Sequence, residues 1–180
     1  MTLPKNRTHV FNIIQEVNNK TLLHYSTLIG TNVNRRDEVG RNALYWAIKN
    51  RCTHNAKLLI EYEISLMVTP NLHALFHALE EDHYELIILL VQNGISPNIV
   101  DKYGRSALMV AIEKVQFRTV CFLIRNGADL FQMDFHYDMA LDYAFRSECR
   151  EIRCFVEHVL AMIKAEEKER KLCPCGGCKI

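Results

Sequence analysis

The chain has 180 residues, of which 49% are hydrophobic and 24% are charged. This length suits a single domain of ordinary size, and the balance of apolar and charged residues excludes a disordered chain. The 22 Lys and Arg residues are matched by 21 Asp and Glu residues. Because there is no basic excess, we expect neither DNA nor RNA as a partner.

The apolar stretches and the cysteines indicate in which cellular compartment the protein is expected. The N-terminal sequence MTLPKNRTHVFNIIQEVNN lacks the apolar core of roughly 7–15 residues that a secretory signal requires. No stretch approaches the roughly 18 consecutive apolar residues of a transmembrane helix. In such a chain the seven Cys residues are expected to be reduced thiols. We therefore expect a cytoplasmic protein, or a nuclear one, that makes no contact with a membrane.

A short motif, Ala-Leu-x-x-Ala, returns along the chain. It begins at positions 43, 74, 107 and 140, so the intervals are 31, 33 and 33 residues. A near-constant interval of this length is typical of a repeat architecture. Asp and Gly three residues apart precede two of the copies, in Asp37–Gly40 and Asp101–Gly104. The Gly supplies the positive φ of a tight turn, and Gly94 and Gly127 end two of the apolar segments in the same way.

This order of turn, helix, turn, helix and Gly resembles the ankyrin repeat, whose pattern is D-x-x-G-x-T-P-L-H-x-A, a second apolar helix and G-A-D-x-N. GRNALYWA, GRSALMVA and YDMALDYA correspond to its first part, and NGISPN and NGADLF to its last. The resemblance covers roughly residues 5–163. The sequence departs from it where His of the T-P-L-H box is replaced by Tyr45, Phe76, Met109 and Asp142, and where the usual Gly between paired helices is missing. The resemblance implies an all-α ankyrin-repeat solenoid of about five helix-turn-helix repeats with short β-turn tips.

The predicted repeat domain covers residues 1–166, with repeats near 5–36, 37–67, 68–100, 101–133 and 134–166, and a charged, Cys-rich tail follows at 167–180. The first repeat has two interpretations. Either Thr8–Val17 and Thr21–Ile29 are its helices, or Thr21–Ser26 is a T-P-L-H-x-A box and a deletion follows. We prefer the first, because Gly30 then lies in register with Gly94, and this unit would cap the stack.

The remaining helices are predicted from apolar periodicity. In the second repeat we expect helices at Asn42–Asn50 and Asn55–Tyr62. The third repeat lacks the Asp and Gly of its turn, and Pro70 is expected to lie in the first helical turn. Its second helix is predicted at Tyr84–Gln92. The last helix begins at Cys149 and is expected to run through the mixed-charge segment 164–171 as a C-terminal cap.

The tail holds the one compositional oddity, Cys173, Cys175 and Cys178. Three thiolates at this spacing could bind zinc or copper(I), but a structural zinc site requires four ligands. Cys149 or Cys154 could supply the fourth only if the tail folded back. We prefer ordinary thiols and expect no metal site.

No catalytic arrangement is found. His73 and His77 are four residues apart, but no Glu follows His73 and no third ligand is near in sequence. The chain also lacks a G-x-S-x-G elbow, a P-loop and a G-x-G-x-x-G fingerprint. We expect neither a cofactor nor an enzymatic activity.

By the resemblance, a partner binds the concave face made of turn tips and first helices. The variable positions follow the Asp of the turn and the second Ala of the first helix. The predicted partner-binding residues at those positions are Glu38, Val39, Arg41, Lys49, Asn50, Glu80, Glu81, Lys102, Tyr103, Arg105, Glu113, Lys114, Phe135, His136, Asp138, Arg146 and Ser147. Trp46 is added as an aromatic candidate, with the alternative that it packs between adjacent first helices. Tyr103, Phe135 and Trp46 are the expected anchors, since aromatic side chains dominate interfaces.

The expected function is that of a monomeric protein that acts by occupying another protein. Short, degenerate ankyrin chains resemble the viral inhibitor-of-κB-like proteins, including the polydnavirus ankyrins, which would hold an NF-κB/Rel factor inactive. The chain contains no D-S-G-x-x-S phosphodegron and no acidic, Pro-rich segment at its end, as that resemblance implies. Three alternatives remain open: an ankyrin inhibitor of cyclin-dependent kinases, a ubiquitin-ligase adaptor, and a metal or redox role for the Cys-rich tail.

Overall fold

The computed structural model describes residues 14, 17, 23 and 28 and the range 32–172. The two helices predicted for the first repeat lie largely outside the described residues. The same holds for Cys173, Cys175 and Cys178 of the tail.

The described range is mostly helical and is built from consecutive helix pairs. The pairs are α1 (Ala43–Lys49) with α2 (Thr53–Glu61), α3 (Ala74–Glu80) with α4 (Tyr84–Gln92), α5 (Ala107–Glu113) with α6 (Phe117–Arg125), and α7 (Ala140–Arg146) with α8 (Arg150–Leu172). One antiparallel hairpin, β1 (Met67–Thr69) and β2 (Leu72–His73), precedes α3. None of the described helices combines the length and apolar character needed to cross a lipid bilayer.

The pairs stack in two layers. The first helices α1, α3, α5 and α7 contact one another in order, and the second helices α2, α4, α6 and α8 form the other layer. A first helix lies between two neighbours and its own partner, so every residue from Ala107 to Ile112 is buried. This is the stacked array of helix pairs that the repeat predicts, in which no pair can bury its apolar surface alone.

Short polar side chains begin two of the first helices, α1 and α5. Asn42 accepts a hydrogen bond from the backbone N–H of Tyr45 at 3.1 Å, and Ser106 accepts one from Met109 at 3.3 Å. These bonds satisfy N–H groups that have no partner within the helix. The predicted helix at 84–92 has the observed bounds, and the predicted helices of the second repeat differ from α1 and α2 by one or two residues at their ends.

An Asp carboxylate builds the tight turns before α1, α5 and α7. Asp101 accepts hydrogen bonds from the backbone of Tyr103 at 2.8 Å and Arg105 at 2.9 Å, and Gly104 takes a φ of +79°. Asp134 accepts the same pair of bonds, from His136 at 2.8 Å and Asp138 at 3.0 Å. The turn at Asp134 therefore keeps this shape although Tyr137, with a φ of +65°, replaces Gly.

The prediction for Pro70 is wrong. Pro70 lies at the tip of the β1–β2 hairpin, four residues before α3 begins at Ala74. Without Asp and Gly this segment closes as a short antiparallel hairpin, and Pro is well suited to its turn. The Pro70 ring also packs on the preceding turn, since a Cβ on Gly40 would lie 3.3 Å from its Cδ.

The missing Gly between paired helices is replaced by residues that adopt its conformation. Arg51, Asp82 and Val115 have φ values of +56°, +49° and +57°. Behind Val115, the N–H of Gln116 donates to the carbonyl of Ala111 at 2.9 Å and closes the turn. The geometry of the repeat is thus retained at the expense of backbone strain.

The last helix extends as predicted, from Arg150 to Leu172. Ile152, Val156 and Leu160 are buried at intervals of four residues, whereas Ala161 and Met162 are exposed. One face of α8 therefore packs on the stack and the other faces solvent, as the end of a solenoid requires.

Candidate functional site

A groove of about 570 Å³ separates two neighbouring turns on the first-helix side of the stack. The β1–β2 hairpin and α3 form one wall, with Leu72, Phe76 and Glu80. The turn at Asp101 and helix α5 form the other wall, with Tyr103 and Lys114 among its residues. We call this space the hairpin groove.

Some of the predicted partner-binding residues line this groove and the others lie outside it. Those that line it are Glu80, Lys102, Tyr103, Arg105, Glu113 and Lys114. Five of these side chains are charged and one is aromatic, and they surround a space whose volume lies within the usual range for binding pockets. The structure thus brings Glu80 of the third repeat together with the predicted residues of the fourth, whereas Glu81 lies outside the groove.

Several lining residues were missed from the sequence, because the third repeat has lost the turn pattern that marks such positions. They are Met67, Thr69, Asn71, Leu72, His73, Phe76 and Val100. A signal was available for two of them. Met67, Val100 and Met133 lie 33 residues apart and are 38%, 46% and 53% exposed, so the repeat register marks an apolar position before the hairpin and before the turns at Asp101 and Asp134.

Arg105 is held within the chain. Its Nε donates to Asp101 at 2.9 Å and its Nη1 to Glu113 at 2.6 Å. Burial opposes the charge of Arg105, but the bond and the charge of Asp101, together with Glu113, raise its pKa. Arg105 therefore fixes the turn to α5, and any contact with a partner is additional to this role.

An equivalent Arg–Asp ion pair lies in the tight turn before α1, where Trp46 also takes part. Arg41 donates to Asp37 at 2.8 Å, and its guanidinium lies 4.4 Å above the Trp46 ring. The indole N–H of Trp46 is 3.3 Å from the same carboxylate. Burial opposes ionisation of Asp37, but the backbone N–H groups of Arg41 and Val39, together with these side-chain bonds, hold its pKa below its ordinary value. Trp46 lies against its own turn, and the ring that packs between adjacent first helices is Tyr45.

His77 is stacked on Tyr45 between α1 and α3, with ring centroids 4.4 Å apart and planes 9° apart. Its Nδ1 lies 3.7 Å from a carboxylate oxygen of Glu80. Burial lowers the pKa of His77, because an apolar environment disfavours the imidazolium. His73 has a different role, as its Nδ1 accepts from the N–H of Leu75 at 3.1 Å and begins α3. Among the described residues, no three His, Cys, Asp or Glu side chains converge in a way that could hold a metal.

Beyond the groove, the turn at Asp134 extends the surface formed by the turns and first helices. Phe135 is 72% exposed, and Asp138 forms an ion pair with Arg146 at 2.6 Å. A hollow of about 260 Å³ lies between Tyr103, Arg105, Asp134, His136 and Tyr143. A second, of about 230 Å³, is lined by Glu113, Tyr143, Arg146 and Ser147.

At the opposite end, Glu38 and Val39 are exposed on the first turn, Val39 by 69%. Lys49 forms an ion pair with Glu81 at 3.5 Å, which links α1 to the end of α3. Asn50 donates to the carbonyl of Val17 at 2.7 Å and so has a structural contact. The predicted residues of the second repeat lie outside the hairpin groove.

Two family models match the chain. "Ankyrin repeats (3 copies)" covers residues 5–101, and "Ankyrin repeats (many copies)" covers residues 90–144. The relatives include the ankyrin repeat protein FPV034 of fowlpox virus, 31% identical over 100 residues, which are 55% of this chain and 24% of that protein. A second fowlpox virus ankyrin repeat protein, FPV018, is 36% identical over 85 residues, which are 46% of this chain and 12% of that one.

The potassium channel AKT2/3 of Arabidopsis thaliana is 29% identical over 109 residues, 59% of this chain and 13% of the channel. The chain therefore spans at most a quarter of the length of these relatives. Proteins as different as a viral ankyrin protein and a plant channel share the repeat.

Proposed function

Because the chain belongs to the ankyrin-repeat family, we propose that it is a protein-binding module that holds part of another protein in the hairpin groove. The observation that carries this proposal is the groove itself, about 570 Å³ between two turns and two first helices. Exposed apolar side chains at its rim, Met67 and Val100, are of the kind that a partner covers. No step of chemistry is required of the residues around it.

We further propose that binding is inhibitory, and that the partner is an NF-κB/Rel transcription factor in the cytoplasm or nucleus. Support comes from the two fowlpox virus ankyrin repeat proteins among the relatives and from the absence of a D-S-G-x-x-S phosphodegron in this sequence. An inhibitor of this kind acts by covering the partner. The potassium channel relative argues that the repeat by itself does not select the partner.

The test is a variant that fills the groove without disturbing the core. Val100 is 46% exposed and lines the groove, whereas Met162 is 53% exposed on the solvent face of α8. Val100→Arg should remove recovery of a Rel factor from immune-stimulated cell extract, while Met162→Arg should recover it as the unchanged chain does. Both variants add one Arg at an exposed apolar position, and unchanged helicity is checked for each.

Two results would contradict the proposal. Equal recovery of the Rel factor by both variants would show that the binding surface lies outside the groove. Recovery of another protein that depends on Val100 would retain the binding module but exclude the Rel factor.

A further inference from the structure

The tight turns before α1, α5 and α7 differ in one charge. In the turn before α1, Arg41 donates to Asp37 at 2.8 Å, and the turn before α5 contains the same Arg–Asp ion pair at 2.9 Å. In the turn before α7, the residue four places after Asp134 is Asp138. The chain therefore supplies a guanidinium to the first two turns and a second carboxylate to the last.

This difference leaves one acceptor position of Asp134 unused. A carboxylate accepts about four hydrogen bonds, and Asp37 accepts two backbone N–H groups at Oδ1 and the side chains of Arg41 and Trp46 at Oδ2. Asp134 accepts the same two backbone groups at Oδ1, and at Oδ2 it accepts the Tyr143 hydroxyl at 2.6 Å. Tyr143 and Trp46 both lie nine residues after the Asp of their turn. Within the described part of the chain, the position that Arg41 fills therefore has no donor at Asp134.

Asp134 keeps its negative charge although it is only 5% exposed. Burial opposes its ionisation, but the Tyr143 hydroxyl and the backbone N–H groups of Asp138 and His136 hold its pKa below the ordinary value. These three donors are neutral, and no Lys or Arg among the described residues forms an ion pair with this carboxylate. A buried charge is costly without a partner of opposite sign, so a cation from outside the chain would stabilise it.

A hollow of about 260 Å³ makes this carboxylate accessible to one side chain. Asp134 lines it together with Tyr103, Arg105, His136 and Tyr143. The volume lies below the usual range for a small-molecule pocket. The two Tyr rings favour a planar cation, because a guanidinium stacks on aromatic faces.

The cations near the hollow are held by carboxylates of the chain. Arg105 contacts two of them, that of its own turn at 2.9 Å and that of Glu113 at 2.6 Å. Arg146 lies over one of the lining Tyr rings, but it is bound to Asp138 at 2.6 Å. Neither Arg146 nor Lys102 lines the hollow. Including Asp134, three carboxylates therefore lie around Arg105, and the hollow suits a further positive charge.

We propose that the hollow binds an Arg side chain of the partner, and that its guanidinium forms with Asp134 the ion pair that Arg41 and Arg105 form within their own turns. This inference rests on the proposed function, since it names the chemistry of one side chain of the partner. An Arg suits the hollow better than a Lys, because a guanidinium pairs with a carboxylate while it stacks on a ring. Tyr103 and Arg105 line both the hollow and the hairpin groove, so one partner reaches both.

Two substitutions of Asp138 test this inference. Asp138→Arg places a guanidinium four residues after Asp134, as in the other two turns, so it occupies the unused acceptor from within the chain and excludes the partner's Arg. Asp138→Asn is the matched control, since it breaks the same ion pair with Arg146 but supplies no cation. In thermal denaturation, Asp138→Arg should melt at a higher temperature than Asp138→Asn.

A second pair of variants removes the carboxylate charge. Asp134→Asn keeps an oxygen that accepts the backbone N–H groups of the turn, because Asn builds such turns as Asp does. Asp37→Asn is the matched control, since it makes the same change in a turn that contains its own Arg. Unchanged helicity is checked for every variant.

The probe is a phage-displayed library of random linear peptides, selected on the full chain at about pH 8, where imidazole side chains are uncharged. We expect enrichment of Arg, and not of Lys, at one position of the peptides. The selected synthetic peptide should lose about tenfold in affinity for Asp134→Asn and for Asp138→Arg. It should bind Asp138→Asn and Asp37→Asn as it binds the unchanged chain.

A selection without enrichment of Arg would overturn the inference, as would a peptide with equal affinity for the unchanged chain and for Asp134→Asn or Asp138→Arg. Peptides that lose affinity for Val100→Arg but not for Asp134→Asn would support the proposed groove and reject the Arg site. Peptides that depend on Asp134 but not on Val100 would support the Arg site and reject the groove.

Discussion

At the scale of single residues, Val115 occupies a turn position where the ankyrin repeat usually has Gly. It is β-branched, 50% exposed and held at a φ of +57°. We expect Val115→Gly to increase the free energy of unfolding by about 1 kcal/mol, since Gly removes the steric penalty but adds chain entropy to the unfolded state. Urea denaturation measures this. Val115→Ala, which keeps the Cβ, should give a much smaller gain, and an equal gain would assign the effect to the lost branched side chain.

His77 predicts a pH dependence of stability. Burial lowers its pKa in the folded chain, with the charges of Glu81 and Glu80 opposing the shift. Above the unfolded pKa of about 6.5 the imidazole is neutral in both states. As the pH falls below that value, the unfolded chain binds the proton first, so stability decreases until the folded pKa is reached.

His77→Phe keeps a ring on Tyr45 and cannot titrate. Between about pH 7 and about pH 5 we expect the unchanged chain to lose more stability than this variant, measured by urea denaturation at each pH. The other buried His residues are common to both proteins and cancel in the comparison. Parallel pH profiles would show that His77 titrates alike in both states.

At the scale of elements, the tight turn from Asp101 to Arg105 is stabilised by its own ion pair. The side chains of Arg105 and Asp101 are 24% and 13% exposed, so their bond is partly shielded from water. We expect Arg105→Gln to lower the free energy of unfolding by about 1–2 kcal/mol. Lys102→Gln removes the same charge from an exposed neighbour and should change stability by less than about 0.5 kcal/mol. Equal losses of stability in denaturation of the two variants would mean that the loss comes from the changed net charge and not from the broken ion pair of the turn.

The sequence predicts most elements because local and global signals agree in them. The Ala-Leu-x-x-Ala motif marks each first helix, and Gly94 and Gly127 end two of the second helices, both with positive φ. The hairpin before α3 could not be predicted in this way. Its Asp and Gly are absent, and Pro70 is compatible with a helix start as well as with a turn.

Only part of the candidate site could be predicted, because the third repeat lacks the Asp and Gly that mark its turn. Residues of the fourth repeat that line the groove follow an intact turn, whereas Leu72 and Phe76 follow the altered one. Tyr103 and Phe135 were selected as exposed aromatic residues, and they are 50% and 72% exposed. Tyr137 could not be selected from the sequence, since its exposure and strain depend on the backbone around it.

At the scale of the whole molecule, stability is shared between neighbouring helix pairs, so position in the stack decides the effect of a core substitution. Leu108 is fully buried between neighbours, whereas Leu141, at the same position of the last pair, is only half-buried. We expect Leu108→Ala to cost about 3 kcal/mol and Leu141→Ala about half of that, since less apolar surface is lost. Denaturation of both variants measures this, and equal costs would contradict a stack that ends at α8 within the described range.

The central claim is that the hairpin groove contacts another protein, and site-specific photocrosslinking tests it most directly. A photoreactive phenylalanine analogue is placed at Val100 or Leu72 in the groove, or at Met162 on α8 as the control, and the chain is irradiated in immune-stimulated cell extract. We expect a discrete protein adduct from the two groove positions and none from the control. Adducts from Met162 alone, or from no position, would contradict binding at the groove.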